Sequence, residues 1–329
     1  MPPNLLVRCF GWSMFALMVA YLVNVILTFW FGFPGIGPLF GWDSNGDGSL
    51  TQSMVQLALY GAAVIAAIFY VTRSSLQTLN NDAKRLTNIN AGFIRAAFWA
   101  VLFVGIADAI ISFLRVEGFL AGFVGDDLAR NLGRPEYRGL YVHAPIVLIG
   151  IVVGVFTRTL GFMWFALFVV LAELMIVVSR FVFSYEQAFM ADLVRFWYGA
   201  LFLFASAHTL LDDGHVRVDL FYANMRRKAK GKVNAWGALL FGIPLCWVIL
   251  WVGMWSKSSV IIAPILVFEV TQSSFGLYVK YFMAGFLGVF AASMMMQFIS
   301  QLFTAFDDQN TDGHDTNAPT APPTAQTIV

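Results

Sequence analysis

The chain has 329 residues, of which 59% are hydrophobic and only 12% charged, and its formal net charge is +1. A soluble globular domain carries about 25% charged residues, so the composition excludes an ordinary soluble domain and predicts an all-α, polytopic integral membrane protein. The near-zero charge excludes a nucleic-acid partner, and the two cysteines, Cys9 and Cys246, lie far apart in apolar runs and read as small buried hydrophobes rather than a disulfide or zinc framework.

A bilayer core takes roughly 20 mostly apolar residues per helix. Eight stretches meet that criterion, at 5–31, 52–72, 93–115, 140–157, 159–183, 191–211, 233–256 and 276–305. The first is far longer than the roughly 7–15 residue apolar core of a signal peptide, and no small-x-small cleavage site follows it, so it reads as a retained span. Between the first two spans, "DSNGDGSLTQSM" (43–54) matches the front of a calcium loop, with Asp43, Asn45 and Asp47 alternating and Gly48 at the sharp turn. The twelfth position, where a bidentate Glu closes the shell, is Met54, and the favoured reading is a turn that caps the helix starting near residue 52. Weak calcium is the only cofactor the sequence suggests.

Only "TRT" (157–159) separates the fourth and fifth spans. One continuous helix would hold Arg158 inside the bilayer at a cost of several kcal/mol, so a tight hairpin with Arg158 at the surface is expected. In the fifth span Glu173 and Arg180 are seven apart and share a helix face. The sixth ends in "TLLDDGHVRVDLFY" (209–222), the densest polar cluster in the chain, with Asp213, His215, Arg217 and Asp219. His215 and Asp219 would face together on a helix, but Val216, Val218 and Leu220 alternate with polar residues, which argues against a helical metal site.

The basic run that follows carries Arg226, Arg227, Lys228, Lys230 and Lys232. It reads as an anchor on anionic headgroups, worth about 1 kcal/mol per basic residue, and also as a short interfacial helix with Phe221, Tyr222 and Met225 dipping into lipid, two readings that can hold together. Basic loops at 73–85, 158 and 217–232 fall on one side of an eight-span chain, which puts both termini in the cytoplasm. The 115–138 loop dissents with Arg115, Arg130, Arg134 and Arg138. The tail 307–329 is polar and rich in Pro, Thr and Ala, and is expected to be disordered.

No GxSxG, Walker, GxGxxG, HExxH or CxxC pattern occurs, so no enzyme chemistry is expected. The ionisable or amide groups singled out inside spans are Asn24, Asp108, Glu173 and His208. They read as structural groups that pair across helices, against the alternative of a self-contained carrier or channel using Asp108 and Glu173.

"RFVF" (180–183), Asp192, "WYGALFLFASAHTLLDDGHVRVDLFY" (197–222) and the basic segment after it resemble the small, Q-type membrane subunit of TRAP transporters, nearest the branch for mannitol, chloroaromatic or 2-oxo acid uptake. "FEVTQSSFGLYVK" (268–280) resembles the family's E-x-S…GLP stretch, with Glu269, Gly276 and Leu277 in place and Tyr278 where the family has proline. Phe181 stands where the family usually has tyrosine, and Asp192 where it often has glutamate. The resemblance covers about 160–305 and implies three parts: an N-terminal four-span extension at 1–157, a small-subunit domain at 158–306 and the tail.

It also implies a bacterial inner-membrane protein that scaffolds a large permease subunit for sodium-driven uptake of an organic acid and offers surface to a periplasmic substrate-binding protein. Arg180, Asp192, Asp213, His215, Arg217 and Asp219 would then serve partner docking.

Overall fold

The computed structural model describes residues 3–158, 162–211, 222, 224–270 and 276–310, and among them every regular element is helical. In chain order these are α1 (Pro3–Phe31), α2 (Leu50–Arg73), α3 (Leu79–Val116), the short α4 (Leu120–Val124), α5 (Asp126–Leu132) and α6 (Pro135–Arg138), and then α7 (Ala144–Phe156) and α8 (Phe162–Phe183). There follow α9 (Ala188–Leu211), α10 (Arg227–Gly237), α11 (Ile243–Met254), the short α12 (Ile262–Leu266) and α13 (Lys280–Asn310). Eight helices among the described residues are long and apolar enough to cross a membrane, which gives the expected polytopic all-α protein. Helix α7 ends at Phe156, α8 begins at Phe162, and Arg158 between them is exposed, as the hairpin reading requires.

The starts of two spans differ most from the hydropathy reading. Helix α3 begins at Leu79, well before residue 93, because its polar start finds protein partners: Asp82, Thr87 and Asn90 are all buried. The seventh span runs unbroken from Arg227 to Met254, and Pro244 does not interrupt it. A π turn at Ala238–Gly242 precedes Pro244, and another at Gly139–His143 precedes Pro145. Proline lacks an N–H and crowds the carbonyl four residues back, and a widened turn just before it accommodates both demands. The basic residues 227–232 are therefore the opening turns of a span, not a separate interfacial helix. Residues 307–310, placed in the disordered tail on composition, continue α13, and 311–329 lie outside the described residues.

The chain divides into two compact units that interleave along the sequence. The first comprises the described residues within Met1–Asn90, Leu210–Ser259 and Met294–Ala325. Here α1 and α2 pack as a pair, and Gly11 lets α1 approach α13 so closely that a Cβ there would lie 2.4 Å from the Phe303 ring. Polar pairs fix the register: Thr87 and Ser300 hydroxyls lie 2.9 Å apart, and Ser300 also donates to the Ala83 carbonyl (3.0 Å). Arg8, 1% exposed, bonds Asp82 through Nε (2.5 Å) and the Ser74 carbonyl through Nη1 (2.8 Å).

The second unit comprises the described residues within Ala91–Thr209 and Val260–Ser293. Its core is aromatic, with Phe98, Phe165, Trp197, Phe204 and Phe286 interlocked from α3, α8, α9 and α13. Gly150 and Gly154 of α7 lie against the backbone of Ala100 and Ala96 on α3, where an added Cβ would stand 2.5 Å from each Cα. This is the small-xxx-small packing that lets membrane helices touch backbone to backbone.

Candidate functional site

The polar centre of the second unit is Asp108, fully enclosed on α3. Its Oδ1 accepts from Arg138 Nη1 (2.8 Å) and lies 3.0 Å from His143 Nε2, and its Oδ2 accepts from the Tyr278 backbone N–H (2.6 Å). His143 Nδ1 sits 2.6 Å from the Tyr281 hydroxyl. A neutral imidazole with its proton on Nε2 satisfies both contacts, donating to the carboxylate and accepting from the phenol. Arg138 also donates to the Leu132 carbonyl (2.9 Å) and Ser112 Oγ (3.2 Å), and its guanidinium lies 4.1 Å from the centroid of the Tyr278 ring, a cation–π contact. The π turn at 139–143 sets the spacing between Arg138 and His143 that lets both reach one carboxylate.

A second acid holds the same segment. Asp192, buried on α9, accepts from the Leu277 N–H through Oδ2 (3.1 Å), with Arg195 Nη1 at 3.6 Å from Oδ1. Consecutive amides of the chain entering α13 are thus gripped by two carboxylates from different helices. Tyr278 extends the arrangement outward: Arg115 donates to its hydroxyl, which in turn donates to the Gly133 carbonyl (3.0 Å). Glu269 pairs with Lys280 (Oε1–Nζ 2.5 Å), and its carbonyl accepts the Tyr281 N–H (3.1 Å). Nearby, the Tyr185 hydroxyl donates to Glu117 (2.7 Å), and burial, with the adjacent carboxylate adding to it, pushes its pKa up to about 12. Tyr185 therefore remains a donor at any physiological pH.

This arrangement clamps backbone. Asp108 is committed to Arg138 and His143, while Glu173 is exposed on α8. Arg180 pairs with Glu186 (Nε–Oε2 3.4 Å), both exposed. His208 packs its ring edge-on against Phe162 (4.8 Å between centroids). Asp213, His215, Arg217 and Asp219 lie outside the described residues. Of the basic segment, Arg227 pairs with Asp308 (Nη2–Oδ1 2.6 Å) and Lys230 lies over the Tyr222 ring at 5.3 Å, while Arg226, Lys228 and Lys232 are exposed.

In the 43–54 loop the helix cap comes from Ser49, whose backbone N–H donates to Gln52 Oε1 (2.8 Å) in a capping box at the start of α2. Asn45 Nδ2 donates to the Trp255 carbonyl (2.8 Å), and Asp43 and Asp47 are exposed. No group of three or more His, Cys, Asp or Glu that could hold a metal occurs among the described residues.

Arg8 and His143 escaped the sequence reading, although they lie inside the apolar stretches 5–31 and 140–157, and Arg138 reads from sequence only as a loop charge. The signal was present: an ionisable group within a span calls for a partner.

Comparison with curated proteins and with solved structures gives no match. Residues 167–308, which include α9 to α11, most of α8 and α13, and both Asp192 and Tyr278, match the family model of the DctQ component of tripartite ATP-independent periplasmic transporters, so the chain carries a DctQ-like small-subunit domain there.

Proposed function

We propose that the chain is the small membrane subunit of a TRAP transporter, scaffolding a large permease subunit for sodium-driven uptake of an organic acid. The match over 167–308 carries this reading. Exposure on α8 supports a membrane-embedded partner. Glu173 is exposed near the middle of the 162–183 span, where a bare carboxylate facing lipid costs several kcal/mol. A covering subunit that pairs it removes that cost. Exposed Arg180 on α8 serves docking together with Asp213, His215, Arg217 and Asp219, whereas Asp192, expected to dock a partner, is buried and engaged by the Leu277 N–H of the chain itself.

With both termini cytoplasmic, the Asp108–Arg138–Tyr278 clamp lies toward the periplasmic ends of its helices. There it stiffens the surface offered to a substrate-binding protein. Residues 1–157 form an extension to the small-subunit domain at 158–306, and Arg226, Lys228 and Lys232 meet anionic lipid on the cytoplasmic side. The "DGHVRVD" stretch points to the mannitol, chloroaromatic or 2-oxo acid branch, with selectivity residing in the two partners. The 43–54 loop, closing on Met54, would hold calcium only in the ~10⁻⁴–10⁻³ M class. A melting temperature raised by millimolar calcium in wild type but not in Asp47→Ala would establish that site.

The docking role is tested by co-purification with the large subunit. His215→Ala and Asp219→Ala should each weaken recovery of the complex, because truncating one partner of a charge pair that docking buries costs about 2–5 kcal/mol. Undiminished recovery with both variants removes the docking role from that cluster.

A further inference from the structure

In the first unit, a cavity of about 370 Å³ opens among the ends of α1 and α11, the start of α2 and the 32–49 connection. Its walls are aromatic and angled. Trp42 and Trp255 meet at 62° with centroids 5.9 Å apart, Trp251 and Trp255 at 61° and 5.5 Å, and Tyr21 and Trp247 at 77° and 5.9 Å. Such a set presents π faces in several directions.

The wall also holds hydroxyl, amide and carboxylate groups, and the Tyr60 hydroxyl there is hydrogen-bonded to the Asn24 side chain. Gln56 is fully used, accepting from the Gly35 N–H (2.8 Å) and donating to Thr28 Oγ1 (2.9 Å) and the Asn24 carbonyl (3.4 Å). The Tyr21 hydroxyl donates to the Leu250 carbonyl (3.2 Å). Asn24, only 5% exposed, gives its Nδ2 to the Gln56 carbonyl (3.4 Å), and its Oδ1 has no hydrogen-bond partner. Asp43 has no ion pair or hydrogen bond among the described residues, and no Lys or Arg lines the cavity.

Indole faces, a buried amide oxygen seeking a proton and an unpaired carboxylate all attract the same thing: a cation that carries N–H donors. We infer that this cavity binds the protonated amine of an amphiphile, with the ammonium between Asp43, Asn24 Oδ1 and the tryptophan faces, and the apolar body along Val25, Phe29 and Met254. An ethanolamine phospholipid headgroup and a free aliphatic amine share this chemistry. A quaternary choline group keeps the charge but has no proton for Asn24. This gives the first unit a ligand site independent of partner docking.

The test is native mass spectrometry of the full chain, released from maltoside micelles with equimolar dioleoyl phosphatidylethanolamine, phosphatidylcholine and phosphatidylglycerol. Retention of the ethanolamine lipid should exceed the choline lipid about tenfold, the scale of the hydrogen bond that choline cannot give Asn24, and should exceed the glycerol lipid, which carries no cation, by at least as much. Asp43→Asn, an exposed and isosteric change, should abolish that preference, and Trp42→Ala should weaken it. Trp30→Ala, an exposed tryptophan outside the cavity, should leave it intact. In parallel, hexylamine should quench tryptophan fluorescence in wild type and not in Asp43→Asn. Hexylamine quenching without lipid preference assigns the site to a free amine, and lipid preference that hexylamine does not compete away assigns it to the headgroup. Equal retention of the choline or glycerol lipid together with no Asp43-dependent quenching overturns the proposal.

Discussion

Arg138 is wholly enclosed, and a guanidinium so placed is tolerated only while a carboxylate faces it. Asp108→Asn keeps the shape of the site but removes the counter-charge, and breaking a buried pair on one side costs about 3–5 kcal/mol. The variant should melt well below wild type in detergent. Pairing it with Arg138→Met should recover much of the loss, because no buried charge is then left unmatched. An unchanged melting temperature for Asp108→Asn alone would show that the pair does not hold the 276–279 segment. Glu173→Gln, at an exposed position, should leave the melting temperature of the isolated chain unchanged and act only on assembly. At this scale the sequence was half legible. Asp108 stood out as a lone carboxylate in an apolar run, but its partners come from 30 and 170 residues away, by way of a π turn that no local pattern announces.

Helix α7 touches α3 through Gly150 and Gly154, with no room for a side chain between backbones. Gly150→Val should therefore force the helices apart. Overpacking of this kind costs typically about 1–3 kcal/mol, and a lower melting temperature with lost helix content on mild heating would register it. Gly61→Val, on α2 with open space beside the glycine, is the matched control and should have little effect. Most spans were legible because about twenty apolar residues are a strong signal that needs no tertiary knowledge. Their ends were not. The start of α3 is polar yet buried, with Asp82 held by Arg8 and Thr87 by Ser300, and hydropathy reads such a stretch as a loop. Pro145 and Pro244 do not end their helices, since a widened turn before each lets the helix continue.

For the molecule as a whole, eight spans with basic connections on one side predict a single topology. Reporter fusions after Ala83 and Lys230 should read cytoplasmic, and those after Asn45 and Asp127 periplasmic. The same side reported for Asn45 and Lys230 would break the eight-span arrangement. In the proposed function this chain serves a permease and is not one itself. Affinity purification of the native protein in mild detergent, with mass-spectrometric identification of what accompanies it, tests this most directly. The account predicts a larger multi-span permease recovered in fixed proportion, with organic-acid uptake in liposomes appearing only when that subunit and a loaded binding protein are present. Recovery of the chain alone, active by itself in liposomes and silenced by Asp108→Asn without loss of folded protein, would contradict it.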